Sequence, residues 1–102
     1  MAELDTLIHQ PTRLRIMAAL VSLDVGERVD FVFLRDLLDL TDGNLSAHLQ
    51  KLEEAGYVSI DKVFEDRRPK TWIWVTARGR QAFEDHVNAL EEIVQSQLME
   101  EI

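Results

Sequence analysis

Apolar residues in the first 40 positions recur every three or four residues, the period of helices with one buried face. A short helix is predicted over residues 2–9. A second helix begins at Pro11, because proline suits the first helical turn. Asp24–Asp30 is polar and predicts a loop, with a short strand at Val29–Phe31, and a third helix follows at about 32–38. The residues defining these helices are Leu4, Leu7 and Ile8, then Leu14, Met17, Ala18 and Val21, then Leu34, Leu37 and Leu38.

A longer helix is predicted between Thr41 and Ala55. Thr41 is a favourable N-cap, and Asp42 complements the partial positive charge of the helix N-terminus. Gly56 is a common residue type directly after a helix. The predicted buried face consists of Leu45, Leu49 and Leu52. Because only a short connection separates this helix from the preceding one, the two predict a helix-turn-helix.

Alternating apolar and polar residues then predict an antiparallel hairpin. Its strands are expected at Tyr57–Phe64 and Thr71–Thr76. The connection at 65–70 is polar and contains Pro69, so a long basic loop is expected at the tip. One face of the first strand is expected to carry Val58, Ile60 and Phe64. In the second strand, Ile73 and Val75 oppose Trp72 and Trp74.

The last predicted helix is capped by Thr76 and is longer than so small a body can cover. Its apolar stripe is Phe83, Val87, Leu90, Val94, Leu98 and Ile102. About 25 helical residues extend roughly 37 Å. The part from Leu90 onward is therefore expected to require a second chain. The sequence predicts a mostly helical α+β fold in one domain, 1–102, with an N-terminal helix at 1–10, a core at 11–76 and a dimerisation helix at 77–102.

Charge is distributed unevenly around a formal net charge of −8. Residues 1–40 carry a net charge of −3, residues 41–80 carry +1, and residues 81–102 carry −6 with no lysine or arginine. Only the middle segment is not acidic, so it is the segment suited to phosphate contact. The acidic C-terminal segment is expected to point away from phosphates, which would repel it.

The polar face of the helix at Thr41–Ala55 has the chemistry of a DNA-reading surface. Asn and Gln side chains can pair with adenine, and Ser can donate or accept at a base edge. The candidate DNA contacts on this helix are Asn44, Ser46, Ala47, His48, Gln50 and Lys51. The alternative is an ordinary amphipathic helix with a solvated face. His48 has its own alternatives, a phosphate contact strengthened by protonation or a neutral residue at the helix boundary.

Three cations at the hairpin tip are the second candidate for DNA contact, namely Arg67, Arg68 and Lys70. Arginine suits a narrow minor groove, and all three can pair with phosphates. A solvated loop that resists aggregation is the alternative. Glu65 and Asp66 offset part of the positive charge.

The order helix-turn-helix, hairpin and long helix resembles winged helix-turn-helix transcriptional regulators of the MarR and ArsR types. Pro11–Ile16 resembles the opening of the first core helix in ArsR-type proteins, and Leu45–Val58 the recognition helix and first wing strand. Thr76–Arg80, followed by Ala82 and Phe83, is similar to the MarR-type turn into the dimerisation helix. The resemblance covers about residues 7–95. Thr41–Ser46 is similar to a small, single-domain subgroup.

The resemblance implies a homodimeric transcription factor that binds double-stranded DNA through the helix and wing residues named above. We expect it to be a repressor, and a reducing cytoplasm fits the absence of cysteine. The predicted dimer interface comprises Leu4, Leu7, Ile8, Leu90, Val94 and Leu98. The net charge of −8 keeps a second hypothesis open, a winged-helix module that binds protein and not DNA.

Other functions find little support in the sequence. It contains no cysteine, so the cysteine-based metal sensing common among ArsR-type proteins is excluded. His9, His48 and His86 lack metal-ligand spacing, and neither a catalytic constellation nor a cofactor motif is present, so an enzyme is not expected. No apolar run approaches the roughly 18 residues of a membrane span. Trp72 and Trp74 could line a pocket for a small-molecule effector, or pack against the helices or a partner subunit.

Overall fold

The computed structural model describes residues 2–100, apart from the side chain of Glu100, so Ile102 at the end of the predicted stripe lies outside the described residues. The helices are α1 (Pro11–Val21), α2 (Phe31–Leu38), α3 (Asp42–Glu54) and α4 (Ala77–Glu100). The strands are β1 (Val29–Asp30), β2 (Val58–Glu65) and β3 (Arg68–Val75), which form one antiparallel sheet in the order β1-β3-β2. The predicted fold class is confirmed: a helix-turn-helix is followed by a hairpin wing and a long helix.

The N-terminal segment is a turn, and the helix predicted at 2–9 is wrong. Residues 2–5 are extended and residues 6–9 form a single turn. The Asp5 carboxylate accepts hydrogen bonds from the backbone N–H groups of Leu7 and Ile8, at 2.9 and 3.1 Å. An aspartate that binds its own following backbone in this way favours a turn over a helix. Gln10 is extended because it precedes proline, and it caps α1 by accepting from the Arg13 N–H.

Helix α1 buries a different face from the one predicted. The buried residues are Arg13, Ile16, Met17 and Leu20, whereas Ala18 is exposed. Only Met17 of the predicted set is fully buried. The prediction failed because it considered apolar residues only. Arg13 is charged but buried, so the true buried face of α1 is turned toward Arg13 and away from Ala18. The core around α1 is closed by Ile8, Leu34, Leu38, Leu45, Leu49, Leu52, Val58 and Ile73.

The hairpin tip is a tight turn, so the predicted long loop is wrong. Asp66 and Arg67 both have positive φ, at 50° and 63°, as in a two-residue type I′ turn. The strands are paired up to Glu65 opposite Arg68. Pro69 does not interrupt β3, because β1 pairs only farther along, with Trp72 and Ile73. A proline is tolerated where one edge of a strand needs no hydrogen bond.

Helix α4 begins close to the start of β2 and extends beyond the body. The Thr76 hydroxyl accepts a hydrogen bond from the Gly79 N–H at 2.9 Å, which confirms the predicted cap. The first half packs against α1 and β3, while residues 90–99 are exposed on every face. None of the helices in the described part of the chain is both long and apolar enough to cross a membrane.

Candidate nucleic-acid interface

Helix α3 presents the predicted polar face to solvent. Leu45, Leu49 and Leu52 are buried, whereas Asn44, Ser46, Ala47, Gln50 and Lys51 are all exposed. The Thr41 hydroxyl caps the helix by accepting from the Asn44 N–H at 3.1 Å. The helix therefore carries a continuous accessible surface of small and amide-bearing side chains on a fixed apolar base.

The turn between α2 and α3 fixes the angle at which α3 is presented. Asp39 ends α2 in the left-handed conformation, with φ of 54°. The Arg35 guanidinium donates to the Asp42 carboxylate at 2.7 Å and also pairs with Asp36 at 2.9 Å. Exposed pairs of this kind contribute little to stability, because water and salt screen them. The Arg35 pair matters more because it offsets the negative charge of Asp42 at the first turn of α3.

His48 is engaged with the body of the protein. The Arg13 guanidinium lies 3.1 Å from His48 Nδ1 through Nη1 and donates to the Leu7 carbonyl at 2.6 Å through Nε. Because the guanidinium can only donate, His48 Nδ1 is the acceptor and the ring is neutral. Partial burial, followed by the charges of Arg13 and Lys51, lowers the pKa of His48. This geometry favours the boundary-histidine interpretation over a protonated phosphate contact.

A cleft of about 720 Å³ separates α3 from the wing. One wall carries Ser46, Leu49, Gln50 and Glu53 of α3, and the other carries Ile60, Lys62 and Thr71 of the hairpin, with Phe31 between them. Two residues predicted for DNA contact, Ser46 and Gln50, thus face a strand of the wing. Lys62 was not predicted as a site residue. The sequence signal that could have identified it is the alternation of the strand, which places Lys62 on the same face as Ile60 and Phe64.

The three predicted wing cations do not share one face. Residues opposite each other in an antiparallel pair point to the same side of a sheet. Arg68 and Lys70 therefore lie on the outer face with Trp72, while Arg67 is in the turn. The Lys70 ammonium sits 4.7 Å from the Trp72 ring centroid. Lys62, paired with Thr71, is on the cleft face instead.

The two tryptophans do not line the cleft. The Arg28 guanidinium lies 5.1 Å from the Trp72 ring centroid and 5.9 Å from that of Trp74. The Trp72 indole N–H donates to the Glu65 carboxylate at 3.2 Å, which holds this acidic side chain on the outer face. Cations therefore cover part of the Trp72 and Trp74 surface, which the sequence analysis considered as the lining of an effector pocket.

Sequence reasoning missed a polar network between the N-terminal segment and α4. The Asp5 N–H donates to His86 Nδ1 at 3.0 Å, and His9 Nδ1 lies 3.4 Å from His86 Nε2. The Tyr57 hydroxyl donates to the Asp5 carboxylate at 2.6 Å. His86 is only 1% exposed, and burial, followed by the charge of His9, lowers its pKa. Its spacing of three residues from both Phe83, which packs against the core, and the buried Ala89 was the signal that it lies on the covered face of α4.

The residues predicted to form the dimer interface differ in their exposure. Ile8 is fully buried within the monomer core, so its assignment to the dimer interface is wrong. Leu4 and Leu7 are half-buried. Leu90, Val94 and Leu98 are 37%, 48% and 52% exposed, and Ile93 and Met99 extend the same exposed region of α4. The C-terminal half of α4 thus keeps a large uncovered apolar surface.

Comparisons with known proteins identify relatives of the whole fold. A family model described as a winged helix DNA-binding domain matches residues 12–94. The uncharacterized protein MJ0432 of Methanocaldococcus jannaschii is 41% identical over 81 residues, 79% of this chain and 85% of that protein. The structure of a transcriptional regulator homologue protein from Pyrococcus horikoshii OT3 matches with a TM-score of 0.80 at 31% identity, covering 89% of this chain and 87% of that one.

The solved structures that share this fold include complexes with DNA. The S. aureus MepR–DNA complex matches with a TM-score of 0.70, covering 92% of this chain and 74% of that chain. At 18% identity the likeness concerns the fold alone. The winged-helix fold that the sequence resemblance implied is confirmed.

Proposed function

Since the chain belongs to the winged helix DNA-binding domain family, we propose that it regulates transcription by binding specific sites on double-stranded DNA as a homodimer. We assign it the role of a repressor, because occupying a site that the transcription machinery needs is sufficient for repression. Activation would require a further surface that contacts that machinery.

The cleft between α3 and the wing is the observation that carries this proposal. A major groove about 12 Å wide admits an α-helix, and the polar face of α3 is the helix surface available to enter it. The DNA backbone beside that groove would then lie between α3 and the hairpin, in the cleft that Ser46, Gln50 and Lys62 line. Lys62 supplies positive charge at the phosphates, and the Arg35 pair offsets the charge of Asp42.

The residue types at the interface suit two different roles, contact with bases and contact with phosphates. Asn44 and Gln50 suit bidentate contacts with adenine, and Ala47 suits contact with a thymine methyl group. Lys51, Lys62 and Arg67 suit phosphate contacts, which provide affinity but little sequence information. Specificity is therefore assigned to α3 and most of the affinity to the cations around it.

Charge reversal on the wing tests the proposal, with binding followed by fluorescence anisotropy over a salt series. The Lys62→Glu variant should bind a random duplex more weakly and with a shallower salt dependence, by about one phosphate contact. Lys70→Glu is the matched control, because Lys70 stacks on Trp72 on the outer face, and it should have a smaller effect. Arg67→Glu with Arg68→Glu should also weaken binding to all sequences.

Two results would contradict this assignment. Unchanged salt dependence in the Lys62 and Arg67/Arg68 variants would remove the wing from the interface. Absence of binding by the unaltered protein at micromolar concentration and low salt would favour the protein-binding hypothesis instead. Gln50→Ala and Asn44→Ala should change preference among DNA sequences, and equal losses on specific and random duplexes would argue against base reading.

A further inference from the structure

Phe64 is exposed to an unusual degree for its position in the strand. It lies on the same face of β2 as Val58 and Ile60, as the strand alternation predicted. Val58 is 2% exposed, whereas Phe64 is 71% exposed, because β2 extends past the body of the protein before it reaches Phe64. Its cross-strand partner is Pro69, which is also exposed. Together they form an apolar step near the end of the wing.

This apolar step continues the wall of the cleft. Residues at alternate positions of a strand share a face, so Phe64 follows Ile60 and Lys62, both of which line the cleft. Pro69 likewise precedes Thr71, another lining residue. The step therefore belongs to the side of the wing that faces α3, in line with the surface proposed to contact DNA.

The charges around the step favour a polyanion over a second copy of this acidic chain. Lys62 precedes Phe64 on the same face, and Arg67 is in the adjoining turn. Asp66 in the turn and Glu53 across the cleft oppose them in part. The carboxylate of Glu65 is bound to the Trp72 indole on the opposite face. An apolar contact with a cation on either side matches the alternation of sugars and phosphates along a DNA strand.

We propose that Phe64 and Pro69 pack against deoxyribose rings of the DNA strand that passes between the wing and α3. This rests on the proposed DNA-binding function and adds a contact of a different kind. The deoxyribose ring presents C–H groups, and covering them together with the exposed phenyl ring removes apolar surface from water. The contact is independent of base sequence, and it fixes how far the wing enters the groove.

The salt dependence of binding separates this contact from an ionic one. Loss of the phenyl ring should weaken binding about tenfold, the order expected when part of a large apolar side chain is no longer buried. The slope of log K against log salt should stay the same, because no counterions are released by an apolar contact. Removing Lys62 should instead reduce that slope.

The experiment measures binding of the full chain to a random duplex of about 30 base pairs, roughly three helical turns, by anisotropy across a salt series. The variants are Phe64→Ala and Phe64→Leu, with Val63→Ala as the matched control. Val63 is adjacent but points to the outer face with its partner Lys70. We expect a loss of about tenfold for Phe64→Ala, a smaller loss for Phe64→Leu, and no loss for Val63→Ala, all with an unchanged slope.

Other outcomes would overturn the proposal. Wild-type affinity in Phe64→Ala, while Lys62→Glu is impaired, would exclude the sugar contact and leave the DNA-binding function intact. Equal losses in Phe64→Ala and Val63→Ala would mean that the hairpin itself is perturbed. A change in oligomeric mass in Phe64→Ala would assign the phenyl ring to a contact between copies. Failure of every protein to bind, including the wild type, would instead remove the proposed function.

Discussion

At the scale of single residues, Arg67 holds a backbone conformation that other residue types adopt more easily. Two-residue type I′ turns favour Asn-Gly or Asp-Gly because both central residues have positive φ. Here the second position is arginine, at φ of 63°. A non-glycine residue in the left-handed region costs about 1 kcal/mol. The turn therefore places a guanidinium at the end of the wing at some expense in stability, as is common at functional sites.

Replacing Arg67 with glycine should change the stability of the protein and its affinity for DNA in opposite directions. Arg67→Gly is expected to raise the free energy of unfolding by about 0.5–1 kcal/mol in urea titrations, because glycine accepts positive φ. The same variant should bind random duplex DNA more weakly. Asp39→Gly is the control, since Asp39 also has positive φ but lies in the turn between α2 and α3, and it should stabilise without weakening binding. A less stable Arg67→Gly, or one that binds DNA as well as wild type, would contradict this account.

His86 should make the stability depend on pH. Its pKa is lowered in the folded state, so between that value and the ordinary pKa of about 6.5 the unfolded chain binds a proton that the native protein does not. Stability is therefore greatest above pH 6.5 and falls as the pH decreases below it. Protonated Nδ1 would also lose the hydrogen bond from the Asp5 N–H. His48, whose pKa is lowered too, should add to the effect.

The histidine effect can be measured by urea unfolding at about pH 7.5 and 5.5, on either side of the ordinary histidine pKa. His86→Asn keeps an acceptor for the Asp5 N–H but takes up no proton. We expect it to reduce the difference in free energy between the two pH values, even if it lowers stability at both. The same difference in variant and wild type would show that His86 is not responsible.

At the scale of secondary-structure elements, the junction between the wing and α4 depends on a close backbone approach. A Cβ atom on Gly79 would overlap the carbonyl oxygen of Tyr57. Gly79→Ala should therefore destabilise the protein by roughly 2–4 kcal/mol, because backbone must move to accommodate the methyl group. Gly43→Ala is the matched control, since a methyl group at this position of α3 would have no neighbouring atom within 4 Å. Thermal unfolding distinguishes the two, and equal melting temperatures would refute the close approach.

The helix-turn-helix was predictable because its signals are local. A capping threonine, three leucines at helical spacing and a following glycine all act within 16 residues, so α3 was obtained almost to the residue. The face of α1 was not predictable in this way. The burial of Arg13 depends on the Leu7 carbonyl and on His48, which lies 35 positions away in the chain. The N-terminal turn similarly depends on Asp5 meeting Tyr57 and His86.

The wing shows that strand alternation predicts which residues share a face but not how deeply each is buried. Phe64 lies on the predicted face, but the sequence pattern does not say where the body beneath that face ends. The tip was misjudged because Pro69 was taken to interrupt pairing, whereas one edge of β3 is free at that point. For the candidate site, the leucine spacing predicted which face of α3 is exposed, and the contact of that face with DNA stays a prediction. The wing contributed Lys62 to the cleft, a residue whose position only the register reveals.

At the scale of the whole molecule, we propose that α4 forms the interface between two copies of the chain. The exposed apolar residues of its second half lie beyond the body, and we attribute them to contact with a second copy. Val94→Glu with Leu98→Glu should therefore shift the mass measured by light scattering from about twice 11.8 kDa to that of one chain. Ser96→Glu, on another face of the same helix, should leave the dimer intact. A double variant that remains dimeric would exclude this part of α4 from the interface.

The distribution of charge is compatible with such a dimer on DNA. Six acidic residues and no lysine or arginine lie in residues 81–102, the segment that includes most of the helix proposed to pair. The cations of the cleft and turn lie on the wing. A net charge of −8 then limits non-specific binding, while the local positive charge remains at the surface proposed to meet phosphate.

Selection of bound sequences from a pool of random duplex DNA tests the central claim most directly, since it requires neither a known operator nor a known partner. We predict enrichment of an inverted repeat whose half-sites are about one helical turn, roughly 34 Å, apart, with the Gln50→Ala variant selecting a different half-site. A pool that stays random after repeated rounds, at a salt concentration low enough for phosphate contacts to form, would contradict the assignment of α3 and the wing to DNA.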